Sequence, residues 1–408
     1  MEMELENLRA LKILGKGAMG TVFLVHDRAR DPAARNPFAL KVVDKASNHD
    51  ADRRARWEIQ VLAKLSHHQH RNTFLPSLLG SLETPDFLAW AVPYCPGGDL
   101  NVLRYRQNDR VFSHSVIKFY LAEIVCALDH LHQMGIVYRD LKPENILVQM
   151  SGHVTLTDFD LSRKLNTNPV KKKPFMHNQN DDNTTTTNVK KHRHRRVLTR
   201  WVMALPDSST TKGLRKAKSA RVSPVSRRRP SFEAGERCNS FVGTEEYVAP
   251  EVVKGDGHEF AVDWWALGVL TYEMLYGTTP FKGCNRKDTF RNVLLKKPEF
   301  VGIKTDLTDL IRRLLEKDPT KRLGYQRGAI EIKEHVFFKG VRWDLLTGVL
   351  RPPFIPSRDD GDLTLKVTTG DVDIKEYFQN LRKPPSLSLP PSPLPSPDCR
   401  RNVSFAEY

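Results

Sequence analysis

Cysteine is scarce in this 408-residue chain, with five at Cys95, Cys126, Cys238, Cys284 and Cys399, none in a C-x-x-C spacing. Scattered thiols of this kind exclude a disulfide-stapled scaffold and a cysteine-ligated zinc site, and they fit a reducing compartment. No run of 18 apolar residues occurs, so no segment reads as a membrane-spanning helix. The opening Met1-Glu2-Met3-Glu4-Leu5-Glu6 lacks the basic and apolar regions of a secretory leader, which points to a soluble, unprocessed protein. Acidic residues are nearly missing from one stretch. Residues 171–230 hold 17 Lys and Arg against 3 Asp and Glu, whereas the remainder holds 47 against 45. The net charge of +16 therefore belongs to one segment and says little about the rest of the chain. The length allows one enzyme-sized body of roughly 250 to 300 residues, plus additions.

What is present is a series of polar runs placed where apolar runs end. Tyr138 to Asn145 reads Y-R-D-L-K-P-E-N directly after Ile136-Val137, and Asp158-Phe159-Asp160 follows the strand-favouring Val154-Thr155-Leu156-Thr157. Polar groups delivered by strand ends can face a cleft. Near the start, Leu14-Gly15-Lys16-Gly17-Ala18-Met19-Gly20-Thr21-Val22 is G-x-G-x-x-G-x-V, between Leu11–Ile13 and Phe23-Leu24-Val25, which read as the strands of a hairpin. Dinucleotide-binding folds share these glycines but open a helix after them. Here Thr21-Val22-Phe23 continues as strand, so the loop amides can lie over phosphates. Phe38-Ala39-Leu40-Lys41-Val42-Val43 reads as a strand carrying one lysine, and Phe87 to Cys95 as another. Ala51 to Leu65 has helical period, with Trp57, Val61 and Leu65 four apart. Ser115 to Met134 is a longer helix with apolar residues on more than one face, stopped by Gly135.

In this order the pieces resemble the protein kinases. Gly243 to Glu251 (G-T-E-E-Y-V-A-P-E), the Asp263-Trp264-Trp265 run and Arg322 extend the resemblance over most of residues 8–340. Y-R-D in place of H-R-D, Ser240 within S-F-V-G-T-E-E-Y, His335-Val336-Phe337-Phe338 and Arg351-Pro352-Pro353-Phe354-Ile355-Pro356 are similar to the AGC kinases. The resemblance implies an α+β bilobal fold: a small, mostly antiparallel β lobe with one key helix, and a larger, mainly helical lobe. It divides the chain into a small lobe at 1–92, large-lobe catalytic and metal loops at 93–163, a basic insertion at 164–236, the rest of the large lobe at 237–340 and a tail at 341–408.

The same resemblance implies an ATP- and Mg²⁺-dependent serine/threonine kinase. In it Asp140 takes or orients the proton of the attacking hydroxyl, Lys142 faces the γ-phosphate, and Asn145 and Asp158 hold the metal. ATP would lie among Leu14, Gly15, Lys16, Gly17, Ala18, Met19, Gly20 and Val22 of the loop, Lys41 with its partner Glu58, and the hinge at Pro93 and Cys95. Pro93 has no N–H to give the adenine, so only its carbonyl serves there. Leu62, one turn after Glu58, is expected to pack toward Phe159 and Tyr138. Asp99, Glu144 and Glu273 fall where AGC kinases read arginine upstream of the target Ser or Thr, which implies basic protein substrates; each also reads as an ordinary surface or capping carboxylate. Ser240 stands at the activation-loop position, with Arg139 to receive its phosphate and Thr244 just downstream.

Two departures from the general pattern stand out. The metal loop has Asp160 where most kinases have Gly; Gly tolerates positive φ, and Asp is expected to pay a steric cost there. That substitution, with 93 positions from Asp158 to Glu251, resembles the plant-specific branch of AGC kinases that includes auxin-transport regulators, which implies a role in growth and development. Within the insertion, Lys190 to Arg196 is a basic cluster beside Val197-Leu198 and Trp201-Val202-Met203. Such a segment suits an anionic membrane surface; it would also serve as a nuclear-import patch or a solvated linker, with nucleic acid the less expected partner. Peripheral plasma-membrane association of a cytoplasmic monomer is the favoured expectation, with the nucleus as the alternative. The tail carries seven Pro and four Ser between Pro384 and Pro397 and ends Phe405-Ala406-Glu407-Tyr408. By resemblance this F-x-x-Y fills a small-lobe pocket or docks a phosphoinositide-dependent upstream kinase.

Overall fold

The structure is a computed structural model that describes residues 3–17, 19–29, 36–46, 49–67, 72–107, 109–165, 244–257, 259–349, 351–356 and 373–382. Ala18, Ser240, Phe405, Tyr408 and nearly all of the basic insertion lie outside the described residues.

The first lobe is a five-stranded antiparallel sheet in the order β1-β2-β3-β5-β4. Its strands are β1 (Leu8–Gly17), β2 (Gly20–Asp27), β3 (Phe38–Asp44), β4 (Gly80–Glu83) and β5 (Phe87–Pro93). Alternation sends successive side chains to opposite faces. In β3, Leu40 and Val42 go to the outer face, in one apolar cluster with Phe23, Phe87, Ala89 and Ala91. Lys41 goes inward, paired in register with Trp90 of β5. Across the inner face lies α1 (His49–His67), whose Val61, Leu62 and Leu65 are buried.

Past Pro93 the chain enters the helical lobe through α2 (Leu100–Tyr105) and α3 (His114–Gln133). Two short ladders follow, β6 (Ile136–Val137) with β9 (Arg163–Lys164) and β7 (Ile146–Val148) with β8 (Val154–Leu156). The lobe is completed by α4 (Pro250–Lys254), α5 (Ala261–Tyr276), α6 (Arg286–Leu295), α7 (Asp306–Leu314), α8 (Ala329–Lys333) and α9 (Leu346–Val349). α3 and α5 are buried along most of their length, as expected of helices apolar on several faces. Gly135 takes φ +73° where α3 stops, a conformation that glycine adopts without strain. Among the described residues no helix is long and apolar enough to cross a membrane.

The tail departs from expectation. Beyond Pro356 the chain reads as polar and then proline-rich, yet Ile374–Arg382 forms a helix, α10, on the outer face of the small-lobe sheet. Ile374 and Phe378 are buried there, and the Phe378 ring lies 5.1 Å from Phe87 and 6.2 Å from Phe23. Earlier tail residues cross the large lobe instead. A Cβ on Gly152 would meet the Phe354 carbonyl oxygen at 2.4 Å, and one on Gly97 would meet Pro356 at 2.9 Å.

Candidate active site

β1 and β2 turn at Gly17 and Gly20, which face each other in register. A Cβ on Gly20 would stand 2.2 Å from the Val42 carbonyl oxygen, so this close approach of β2 to β3 needs glycine. At Gly15 and Gly17 a Cβ would meet nothing within 4 Å. That space belongs to a cleft of about 980 Å³ between the lobes, roofed by Leu14, Gly15, Lys16, Gly17, Met19, Gly20 and Val22. Pro93 and Cys95 line its hinge side, and Asp140, Lys142, Asn145 and Asp158 its floor.

Lys41 is the junction between roof and floor. Its Nζ lies 2.9 Å from Glu58 Oε2 on α1 and 2.7 Å from Asp158 Oδ1, so the expected pair with Glu58 is formed and a second carboxylate joins it. Burial works against the ammonium, but Glu58 and Asp158 outweigh it and hold Lys41 above its ordinary range. Burial also raises the Glu58 carboxyl, and Asp158 and Asp160 add to this against the pull of Lys41. For Asp158 the balance falls the other way: burial is overcome by Lys41 and Lys142, and its pKa is lowered. Lys41 thus stays an ammonium facing an ionised Asp158, and Glu58 is the member with raised proton affinity.

The floor hangs from Asp263, which is wholly buried at the start of α5. Its Oδ2 accepts the Tyr138 N–H at 2.8 Å and lies 2.8 Å from His132 Nε2, while Oδ1 accepts the Arg139 N–H at 2.7 Å. These bonds hold Arg139 at φ +71°, a left-handed conformation that a non-glycine residue occupies only under constraint. Arg139 Nε donates to the Leu161 carbonyl at 2.7 Å. Next in sequence, Asp140 Oδ2 accepts from Lys142 Nζ and from Asn145 Nδ2, both at 2.9 Å. The three side chains expected to act on the hydroxyl and the phosphate form one connected unit. Tyr138 and Phe159 pack edge to face at 5.5 Å, and Leu62 is buried in the same core cluster.

The metal loop corrects one expectation. The left-handed residue is Asp158, at φ +60°, and Asp160 is not among the described residues with positive φ. A side chain at 160 therefore meets no left-handed cost here. Instead, the Asp160 carboxylate is buried and pairs with the Arg54 guanidinium of α1. Burial and the neighbouring Asp158 raise its pKa.

Among the described residues no group of three or more His, Cys, Asp or Glu side chains converges as a metal cage. Asp158 and Asn145 nevertheless fit magnesium, which takes one or two protein oxygens and completes its octahedron with water and substrate phosphates.

The acidic residues expected to read arginine are placed unevenly. Asp99 caps α2, accepting the Val102 N–H at 2.7 Å. Glu273 lies 3.0 Å from Arg104 and accepts the Tyr247 hydroxyl, so an internal arginine already matches its charge. Glu144 accepts from Asn101 at a longer 3.2 Å and lines the cleft. Burial raises the Glu144 carboxyl, and Glu273 and Asp99 add to this, so the three do share one region. Thr244 borders the cleft and, with Arg139, a hollow beneath the segment that enters α4. Glu251, at the start of that helix, is tied by Arg322 through two bonds of 2.7 and 2.9 Å.

Sequence reasoning missed Arg54 and Ser162. Arg54 stands one turn before Glu58 on the same face of α1, a spacing that was there to be read. Ser162 accepts the Trp57 indole N–H at 3.0 Å, a contact between distant segments with no local signal.

Comparison with known proteins shows the family. The protein kinase domain pattern matches residues 8–189 and 229–338. Within the plant branch that the Asp-Phe-Asp loop and the long insertion resemble, the UNICORN and UNICORN-like kinases are the expected relatives. The chain is 62% identical to the serine/threonine-protein kinases UCNL and UCN of Arabidopsis thaliana, over 100% of this chain and 96% of each relative. It is 44% identical to the serine/threonine-protein kinase OXI1 of the same plant, over 93% of this chain and 86% of the relative. The chain belongs to the protein kinase family, as a serine/threonine kinase of the plant AGC type.

Proposed function

We propose that the protein transfers the γ-phosphoryl group of ATP to serine or threonine in arginine-containing protein substrates, in plant growth and development signalling. The observation that carries this reading is the meeting, in one cleft, of the Lys41–Glu58–Asp158 pairing with the Asp140–Lys142–Asn145 unit. Phosphoryl transfer asks mainly for positioning and for charge against the phosphoryl oxygens. Lys41 offers an ammonium to the α- and β-phosphates, and Glu58 fixes its direction. Asp140 receives the proton of the substrate hydroxyl as that oxygen bonds phosphorus and the bond from phosphorus to the β-phosphate oxygen breaks. Lys142, donating to the same Asp140, is placed to follow the charge as it moves to the γ-phosphoryl oxygens. Magnesium, held by Asp158 and Asn145, would supply further positive charge to the phosphates.

Of the three acidic candidates, Glu144 is best supported as a reader of arginine, because Asp99 caps a helix and Glu273 faces Arg104. Activation is assigned to phosphorylation of Ser240, with Arg139 as the receiving cation beside the catalytic aspartate. Phe405 and Tyr408 are assigned to docking the upstream kinase. The basic insertion is assigned to peripheral contact of a cytoplasmic monomer with anionic lipid at the plasma membrane. An arginine-position peptide scan with radiolabelled ATP tests the substrate reading. Glu144→Gln should raise KM for arginine peptides several-fold and leave KM for ATP in place, and an unchanged peptide KM would remove Glu144 from this role.

A further inference from the structure

Where the family pattern has glycine, this chain places a buried carboxylate, and the partner of that carboxylate is on the helix that controls Lys41. The Asp160 side chain is 4% exposed and the Arg54 side chain, whose guanidinium pairs with it, 34%. Arg54 precedes Glu58 by four residues, so both project from one face of α1, a turn apart. Between them along the helix, Trp57 donates to Ser162 Oγ at 3.0 Å, and Ser162 Oγ in turn donates to the Phe159 carbonyl at 2.6 Å. One turn of α1 thus holds residues 158–162 at three points: Arg54 to Asp160, Trp57 to Ser162, and Glu58 through Lys41 to Asp158.

We propose that Asp160 is a positioning residue for phosphoryl transfer, and that its pairing with Arg54 latches α1 onto the metal loop so that Glu58 stays in reach of Lys41. The backbone supports a side chain at this place, because the left-handed strain falls on Asp158 rather than on Asp160. The latch is electrostatic, with its carboxylate side buried and its arginine side partly exposed, and removing Arg54 leaves the buried Asp160 charge poorly compensated. It explains how a loop without the usual glycine serves the reaction: the flexibility that glycine would give is exchanged for a fixed attachment between lobes. Glycine at 160 would remove one of the three polar attachments of this turn to residues 158–162 seen among the described residues, leaving those through Trp57 and Glu58. The proposal rests on the kinase reading above, but the attachment itself exists whether or not phosphate is transferred.

The test is a double-mutant cycle on the full chain with two readouts: kcat and KM for labelled ATP, and hydrogen exchange of α1 amides. Asp160→Gly and Arg54→Ala should each lower kcat by about tenfold, the size of one charge-assisted hydrogen bond. The double variant should be no slower than either alone, and Arg54→Lys should recover part of the loss. In both single variants the α1 amides should exchange faster while those of α3 keep their protection, which separates release of the latch from general unfolding. If the wild type moved no phosphate, the kinase reading would fail, and the exchange data alone would still decide the latch. Independent, multiplying losses in the cycle, or α1 exchange identical in wild type and Asp160→Gly, would overturn the proposal.

Discussion

Asp263 shapes the floor of the cleft without reaching it. Its two carboxylate oxygens take the backbone N–H groups of Tyr138 and Arg139, and so carry the strained turn that aims Asp140. Asp263→Ala would leave two buried N–H groups without acceptors, at roughly 1–3 kcal/mol each. Denaturant unfolding should therefore show a loss of about 3 kcal/mol or more, together with loss of turnover. Glu58→Gln is expected to act differently. It removes one of two charges facing Lys41 but keeps an acceptor, so the fold should persist while kcat falls about 10- to 100-fold for want of a fixed Lys41. Steady-state kinetics beside a thermal melt would separate these two outcomes.

Among the elements, α3 was legible to within one residue at each end and α1 to within two, since apolar period and, for α3, the terminal Gly135 are local signals. The strands that deliver Asp140 and Asp158 were legible for the same reason: β-branched and apolar runs end where polar motifs begin. The backbone at 158–160 was not, because the partners that hold it, Lys41 on Asp158 and Arg54 on Asp160, lie far away in sequence. α10 lies between these cases. Ile374, Tyr377 and Phe378 recur at helical spacing, but the surrounding polar tail hid their period, and the apolar outer face they cover is built from four strands. Phe378→Ala should uncover that face and lower the melting temperature of the small lobe, by an amount corresponding to about 3–5 kcal/mol. An unchanged melt would mean that α10 does not dock. On α7, Asp309 receives Arg312 at 2.6 Å, Arg313 at 2.8 Å and His335 at 3.1 Å. Burial pushes its carboxyl up, but these partners outweigh it and hold it down at about 2. The folded pKa lies below the unfolded value of 3.8, so the stability it adds is full above about pH 4 and lost as pH falls through about 2. The carboxylate is about a third exposed, and Asp309→Asn should cost under about 1 kcal/mol at neutral pH, a gap that closes in acid unfolding curves.

At the scale of the whole molecule, the two lobes are joined by side chains that can be counted. Among the described residues, Lys41, held by Glu58, meets Asp158, Arg54 meets Asp160 and Trp57 meets Ser162, with the hinge at Pro93 on one side of the cleft. On the function proposed above, these contacts would also orient the nucleotide, and the chemistry would depend on the Asp140 unit at the floor. The most direct measurement is the rate of labelled phosphate transfer from ATP to an arginine-containing peptide by wild type and by Asp140→Asn, with folding of both checked by circular dichroism. A fall of about 10²- to 10⁴-fold with the fold intact is expected, the range for loss of a positioned general base. A folded Asp140→Asn protein that transfers phosphate within twofold of the wild-type rate would contradict the central claim.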